Sequence, residues 1–336
     1  MQRTVNFILI IGLWVCSSAC EFVLFDNPEK QDPVSTFEYL WNECNNKYSY
    51  FEYKGIDWEE VHSRYRPMVS ESIGHDSLFT VLASMLNELR DAHVNLVSPF
   101  NVSHYDIQLT GPQNVNGRNV QKNYLGDDFQ VTGPFNHNFI DDGNIGYIFY
   151  PSFANTFTHE QLDYIFTRYK HVHGLIFDLR SNGGGTPENI YKILDRLSSA
   201  KTLLYYSYLK SGPGHEEFAS GVPAYSSPIG RPGFKGPFVV LTNRGTYSAA
   251  SFFTLGAREL PNCTIMGDTT GGGLGLPNGG QLPNGWTYRF SVSRTLTTTG
   301  ENYENGIPPD IISLLTPEDE ANGIDTLIED AIKLLK

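Results

Sequence analysis

Residues 145–197 constrain the fold more than any other part of the chain, because apolar strands and amphipathic helices alternate there. Residues 145–150 (IGYIFY) and 174–179 (GLIFDL) are short and almost wholly apolar. A strand without a polar face has to be covered on both sides, which is the situation of a parallel sheet between helices. Between the two strands, 158–170 opens on Thr158 with Gln161 three residues later, the spacing of a capping box. After the second, Thr186 and Pro187 open a helix with Ile190, Ile193, Leu194 and Leu197 on one face. Further strands are expected at 203–209, 238–242 and 264–267, and 286–296 alternates like a strand exposed on one side. An amphipathic helix around Ile324, Ile328, Ala331 and Leu335 closes the chain. The reading is an α/β core.

Three helical patterns precede it and form an N-terminal helical module. The first starts at Asp32-Pro33 with Val34, Phe37, Trp41 and Cys44 on one face. The second opens with Asp57 and Glu60 in a capping box, and the third carries Leu78, Leu82, Met85, Leu86 and Leu89 up to Arg90-Asp91-Ala92-His93. Residues 99–142, rich in Asn and Gly, read as linker with short strands. At the other end, Arg3 precedes the apolar run 5–15, and Ser17-Ser18-Ala19 precedes Cys20. That run is too short to span a membrane and reads as a signal peptide over 1–19. The organisation expected is therefore signal peptide, helical module over 20–98, linker over 99–142, and an α/β domain over 143–336.

A formal charge of -13 argues against nucleic acid and against an electrostatic hold on anionic membranes. The spacing of cysteines and histidines gives no zinc pattern, and neither a metal nor a cofactor is expected. His171 and His173 lack a third ligand at a supporting spacing. Cys44 and Cys263 can pair in an oxidising compartment, which the sequence leaves open.

Four places could carry chemistry. Residues 236–260 read as strand, turn and helix, with Ser248 at the helix start, where free amides and the dipole favour an oxyanion. Serine is also a preferred N-cap, and the segment alone leaves both roles open. Asp178-Leu179-Arg180-Ser181-Asn182-Gly183-Gly184-Gly185 runs a strand into a triple glycine, which frees amides to face a ligand or simply makes a tight turn. His93 and the carboxylates Glu301 and Glu304 complete the set, each with a structural alternative.

Taken in order, Ile145-Gly146-Tyr147-Ile148, DLRSNGGG, TNRGTYSAAS, Gly267-Asp268-Thr269-Thr270-Gly271-Gly272-Gly273 and YENGIPPDI resemble the S41 serine peptidases, which include C-terminal processing peptidases and the tricorn core protease. The resemblance implies a spiral fold of βα units like that of ClpP and crotonase. It implies Ser248 as nucleophile, with the amides of Ala249 and Gly184 as oxyanion hole. Gly273 stands at or next to the place of the lysine in the processing-peptidase branch. The tricorn-like branch uses a histidine from an R-D-x-H segment and a glutamate from E-N-x-G-x-x-P-D, which implies His93 as base and Glu304 as its orienting carboxylate, with Glu301 in reserve. The family often has glutamate three residues after the nucleophile, where this chain has Ser251, and residues 99–142 leave no room for a PDZ domain.

The function implied is endopeptidase action on cell-envelope or extracellular polypeptides. The Ser-Ala-Cys junction resembles a bacterial lipoprotein signal, which implies lipidation at Cys20 and membrane contact through that anchor alone, facing the periplasm or the outside. The alternative is a non-catalytic envelope protein binding an apolar ligand or peptide on the same fold, like the retinoid-binding repeats.

Overall fold

In the computed structural model, which describes residues 30–107 and 111–336, the apolar strands lie at the centre of a seven-stranded sheet. In chain order the strands are β1 (Asn95–Val97), β2 (Val102–His104), β3 (Gln130–Thr132), β4 (Phe135–Ile140), β5 (Ile145–Phe149), β6 (Gly174–Asp178) and β7 (Thr202–Leu209). They continue with β8 (Val222–Ser226), β9 (Phe238–Thr242), β10 (Cys263–Gly267), β11 (Pro277–Gln281), β12 (Thr287–Ser291), β13 (Ser293–Leu296) and β14 (Ile311–Ile312). The helices are α1 (Pro33–Lys47), α2 (Phe51–Lys54), α3 (Trp58–Tyr65), α4 (His75–Asn87), α5 (Gly117–Val120), α6 (His159–Arg168), α7 (Glu188–Leu197), α8 (Ala249–Arg258), α9 (Pro317–Ala321) and α10 (Thr326–Leu335).

The large sheet runs β14-β10-β9-β6-β5-β4-β3, with β5, β6, β9 and β10 parallel. Every residue of β6 and β9 is buried, because helices cover both faces. Leu162, Ile165, Ile193, Leu194, Phe253 and Leu255 of α6, α7 and α8 share a core with Phe177 and Val240 on one face. On the other, Leu327, Ile328, Ala331 and Leu335 of α10 pack with Ile176, Val239 and Met266. Helix α8 is buried from Ala249 to Ala257, and its small and apolar residues suit a helix enclosed all round. At the exit of β6, Arg180 is fully buried and donates to Asp178 and to both oxygens of Asp325, the N-cap of α10. That pairing fixes the strand end from which the glycine turn departs.

A second sheet, β11-β12-β1-β2, packs one face against the N-terminal helices. Phe37, Leu40, Trp58, Leu82 and Leu86 meet Trp286, Tyr288 and Phe290, so residues far along the chain complete the helical core. Trp41 and Trp58 each donate an indole N–H to the other's carbonyl at 3.1 Å. The caps read from sequence form: Asp32 accepts from Ser35, Asp57 from Glu60, and Thr158 with Gln161 makes the reciprocal box.

One expectation changes, and two points left open are filled in. Residues 286–296 are two strands, not one: β12 pairs in the second sheet and β13 crosses to a three-stranded sheet with β7 and β8, the break falling at Val292. Within 99–142 the short strands include β3 and β4, which extend the large sheet, β4 antiparallel to β5 and β3 antiparallel to β4. Cys44, inside the helical core, and Cys263, on β10, are both free thiols. The signal segment and Cys20 lie outside the described residues.

Candidate active site

The stretch 236–260 folds as its composition requires, with β9 buried, a turn at Asn243–Thr246, and α8 opening at Ala249. Ser248 occupies the N-cap position, yet its side chain caps nothing. Its backbone has φ 54° and ψ -122°, a region costly for any residue but glycine, of order 1–3 kcal/mol. Hydrogen bonds hold it there, from Ser248 N–H to the Gly272 carbonyl at 3.0 Å and from Phe252 N–H to the Ser248 carbonyl at 2.9 Å. The hydroxyl freed by this geometry lies 2.9 Å from Nε2 of His93. The side chain thus faces the histidine and caps no helix amide.

His93 comes from 155 residues earlier in the chain. After α4 the backbone reverses at Arg90, with φ 47°, and Asp91 Oδ1 accepts the His93 N–H at 2.8 Å. The imidazole is buried and rests on the Tyr247 ring, centroids 4.9 Å apart. Burial, helped by the charges of Arg289 and Lys54 and opposed by Asp91, lowers its pKa to about 4. It is therefore neutral near pH 7 and able to accept a proton.

Asp91 takes four donors: the His93 amide and Tyr247 hydroxyl on Oδ1, the Tyr48 hydroxyl and Ser291 hydroxyl on Oδ2. Burial pushes its pKa up, but Lys54, His93 and these hydrogen bonds hold it below the usual carboxylate range. Glu304 is buried beside this group and does not reach the imidazole as the sequence suggested. Its Oε2 accepts the Leu274 amide at 2.6 Å and its Oε1 is 3.9 Å from Lys54 Nζ. Nδ1 of His93 is buried without a hydrogen-bond partner among the described residues. Burial and the Asp91 charge raise the Glu304 pKa to about 8, against the pull of Lys54. Glu301, the reserve, is exposed and bonds Thr297 and Thr299. Ser251 is buried under the helix start and donates to the Thr246 carbonyl.

The glycine turn also differs in detail. Gly184 backs onto Ser248: a Cβ there would stand 2.8 Å from both Ser248 Cβ and Ala249 N, and its φ is 93°. Its own N–H, however, donates to Asn182 Oδ1 at 3.0 Å, so it is committed within the turn. Gly183 and Gly185, rather than Gly184, line the cavity over Ser248. The Ala249 N–H donates to no other described residue and keeps the position expected of an oxyanion donor. The cavity holds about 750 Å³ and is bounded by His93, Asn95, His104, Tyr247, Phe252 and Arg289 among others. Lys54, Tyr48, Tyr247, Ser291 and Arg289 were not singled out from sequence; only Asp91, inside the R-D-x-H segment, left a signal there.

The family model for peptidase family S41 matches residues 144–313, half of the 336-residue chain. The chain belongs to peptidase family S41. A model for the tricorn protease C1 domain matches residues 30–87 of this S41 chain, the helical part. Carboxy-terminal processing protease CtpA of Bacillus subtilis (strain 168) is 30% identical over 173 residues, 51% of this chain but 35% of that protein. Among solved structures, a candidate peptidase from Parabacteroides merdae ATCC 43184 is 40% identical with a TM-score of 0.87, over 90% of this chain and 96% of that one. Mature CPAF shares the fold at 13% identity, TM-score 0.68, over 91% and 96% of the two chains.

Proposed function

We propose that this chain is a serine-type endopeptidase acting on polypeptides of the cell envelope or extracellular space. Ser248 is the nucleophile and His93 the general base. The observation that carries the reading is the 2.9 Å contact between Ser248 Oγ and His93 Nε2, built on a strained backbone and a neutral imidazole. A serine that only capped a helix would need neither.

In the proposed reaction His93 Nε2 takes the Ser248 proton as Oγ bonds to the substrate carbonyl carbon. The Ala249 amide, and a glycine-turn amide that we assign to Gly183 because Gly184 is engaged by Asn182, hold the resulting oxyanion. The imidazolium then gives its proton to the departing amine, and water repeats the sequence in reverse to free Ser248. Glu304 enters as the buried acid of the layer beneath, bonded to Leu274, and Asp91 as the anion nearest the imidazole.

The envelope location rests on the segment ending Ser17-Ser18-Ala19-Cys20, with Cys20 as lipid attachment. Among the described residues no helix is long and apolar enough to cross a membrane. The test is digestion of an unstructured protein such as casein. Cleavage should vanish in Ser248→Ala and in His93→Ala, each a loss of several orders of magnitude. Cleavage by Ser248→Ala at the wild-type rate would refute the assignment.

A further inference from the structure

The register of the second sheet places three polar side chains in one row facing the cavity over Ser248. Arg289 of β12 stands opposite Asn95 of β1, and Asn95 opposite His104 of β2. All three line the cavity that Ser248 and His93 line. The alternate residues Leu96, Tyr288 and Phe290 turn to the other face and bury in the helical core, so the row cannot turn away without unpacking that core.

The guanidinium of Arg289 is fixed by neutral acceptors. Nε donates to the His93 carbonyl at 3.3 Å. The Asn95 amide, oriented by its hydrogen bonds, presents its oxygen to Nε at 3.1 Å and to Nη2 at 3.0 Å. Nη1 donates to no described residue, and no carboxylate among the described residues lies within ion-pair distance of Arg289. Arg64, Arg66, Arg180, Arg196, Arg231, Arg258 and Arg294 hold carboxylates on other parts of the molecule, whereas Arg289 stands in the cleft. An exposed, pre-oriented guanidinium left without one in the cleft is a carboxylate receptor.

We propose that Arg289, steadied by Asn95 and flanked by His104, is a specificity subsite that binds a carboxylate of the polypeptide substrate. This rests on the peptidase reading of the same cleft. The carboxylate comes from an acidic side chain near the scissile bond or from the chain end, two sources of one chemistry.

The experiment profiles cleavage of a peptide library by wild type, Arg289→Gln and Arg289→Glu, using mass spectrometry. Wild type should favour Asp or Glu at one fixed place relative to the cut, or cuts at a fixed distance from a free C-terminus. Amidated copies of the same peptides separate the two, since only chain-end recognition is lost on amidation. Arg289→Gln should lower kcat/KM for the favoured peptides about 10- to 100-fold more than for neutral analogues, the size of a lost charge-assisted pair, the change on neutral analogues reporting only the altered surroundings of His93. Arg289→Glu should shift preference toward Lys and Arg. No acidic or C-terminal preference in wild type, or an equal fall on acidic and neutral peptides in Arg289→Gln, would overturn the subsite. If wild type cleaves nothing, the peptidase reading fails first. Calorimetry then decides the subsite alone: an acidic peptide should bind Ser248→Ala at least tenfold tighter than Ser248→Ala/Arg289→Gln, and equal affinities overturn it.

Discussion

Replacing Glu304 by glutamine should make the protein more resistant to alkaline conditions. The carboxyl is buried beside Asp91, and its pKa rises from 4.5 to about 8. Between those limits the folded state keeps a proton that the unfolded chain has released, so stability falls as pH rises through that window. At about 1.4 kcal/mol for each pH unit, the cost accumulated by pH 8 is on the order of 5 kcal/mol, a large part of a typical domain's stability. Glutamine keeps the shape and an oxygen for the Leu274 amide, and it cannot ionise. Lys54 retains the Leu89 and Arg90 carbonyls. His93 works in the opposite direction: its lowered pKa removes stability as pH falls from 6.5 toward 4. That contribution is common to both proteins and cancels in their difference. The assay is urea unfolding followed by tryptophan fluorescence at pH 5, 7 and 9. The two proteins should be close at pH 5, with Glu304→Gln ahead by several kcal/mol at pH 9. A difference that does not grow with pH, or a mutant less stable at pH 9, would mean that Glu304 is already ionised against Lys54, and the reasoning would be wrong.

Three further outcomes follow from the same geometry. Because burial lowers the His93 pKa to about 4, the acid limb of kcat/KM should lie near pH 4, and a limb near 6.5 assigned to this residue by its loss in a histidine titration would contradict it. Gly184→Ala should cut kcat at least about 100-fold, since its Cβ would press on Ser248 and Ala249 at 2.8 Å; unchanged turnover would show that the turn does not support the nucleophile. Asp91→Asn keeps the acceptor for the His93 amide but removes the nearest negative charge, so kcat should fall about 10- to 100-fold with KM nearly constant, as steady-state kinetics on one peptide can check.

The core was legible because its strands and helices carry their own signals. β6 is apolar up to its last residue, Asp178, and α7 and α10 show one clean face, so periodicity found them. β11 reads Pro-Asn-Gly-Gly-Gln and held no such signal; its pairing with β12 is a tertiary choice that local composition cannot announce. The serine and histidine were legible through ordered motifs, and the structure brings them into contact. The carboxylate layer was not. Whether Glu304 or Asp91 lies against the imidazole depends on how a buried Lys54, two tyrosines and a serine share their hydrogen bonds, and none of those partners is adjacent in sequence.

The helical core closed by Trp286, Tyr288 and Phe290 sets an order of events during synthesis. A nascent chain that has just passed Ser248 already contains His93, yet β12 and Ser291, which support the Asp91–His93 segment from the other side, have still to emerge. The contact between Ser248 and His93 is thus supported only once β12, some forty residues beyond the serine, has been made. A truncation before residue 287 should yield an inert product even though Ser248 and His93 are both present.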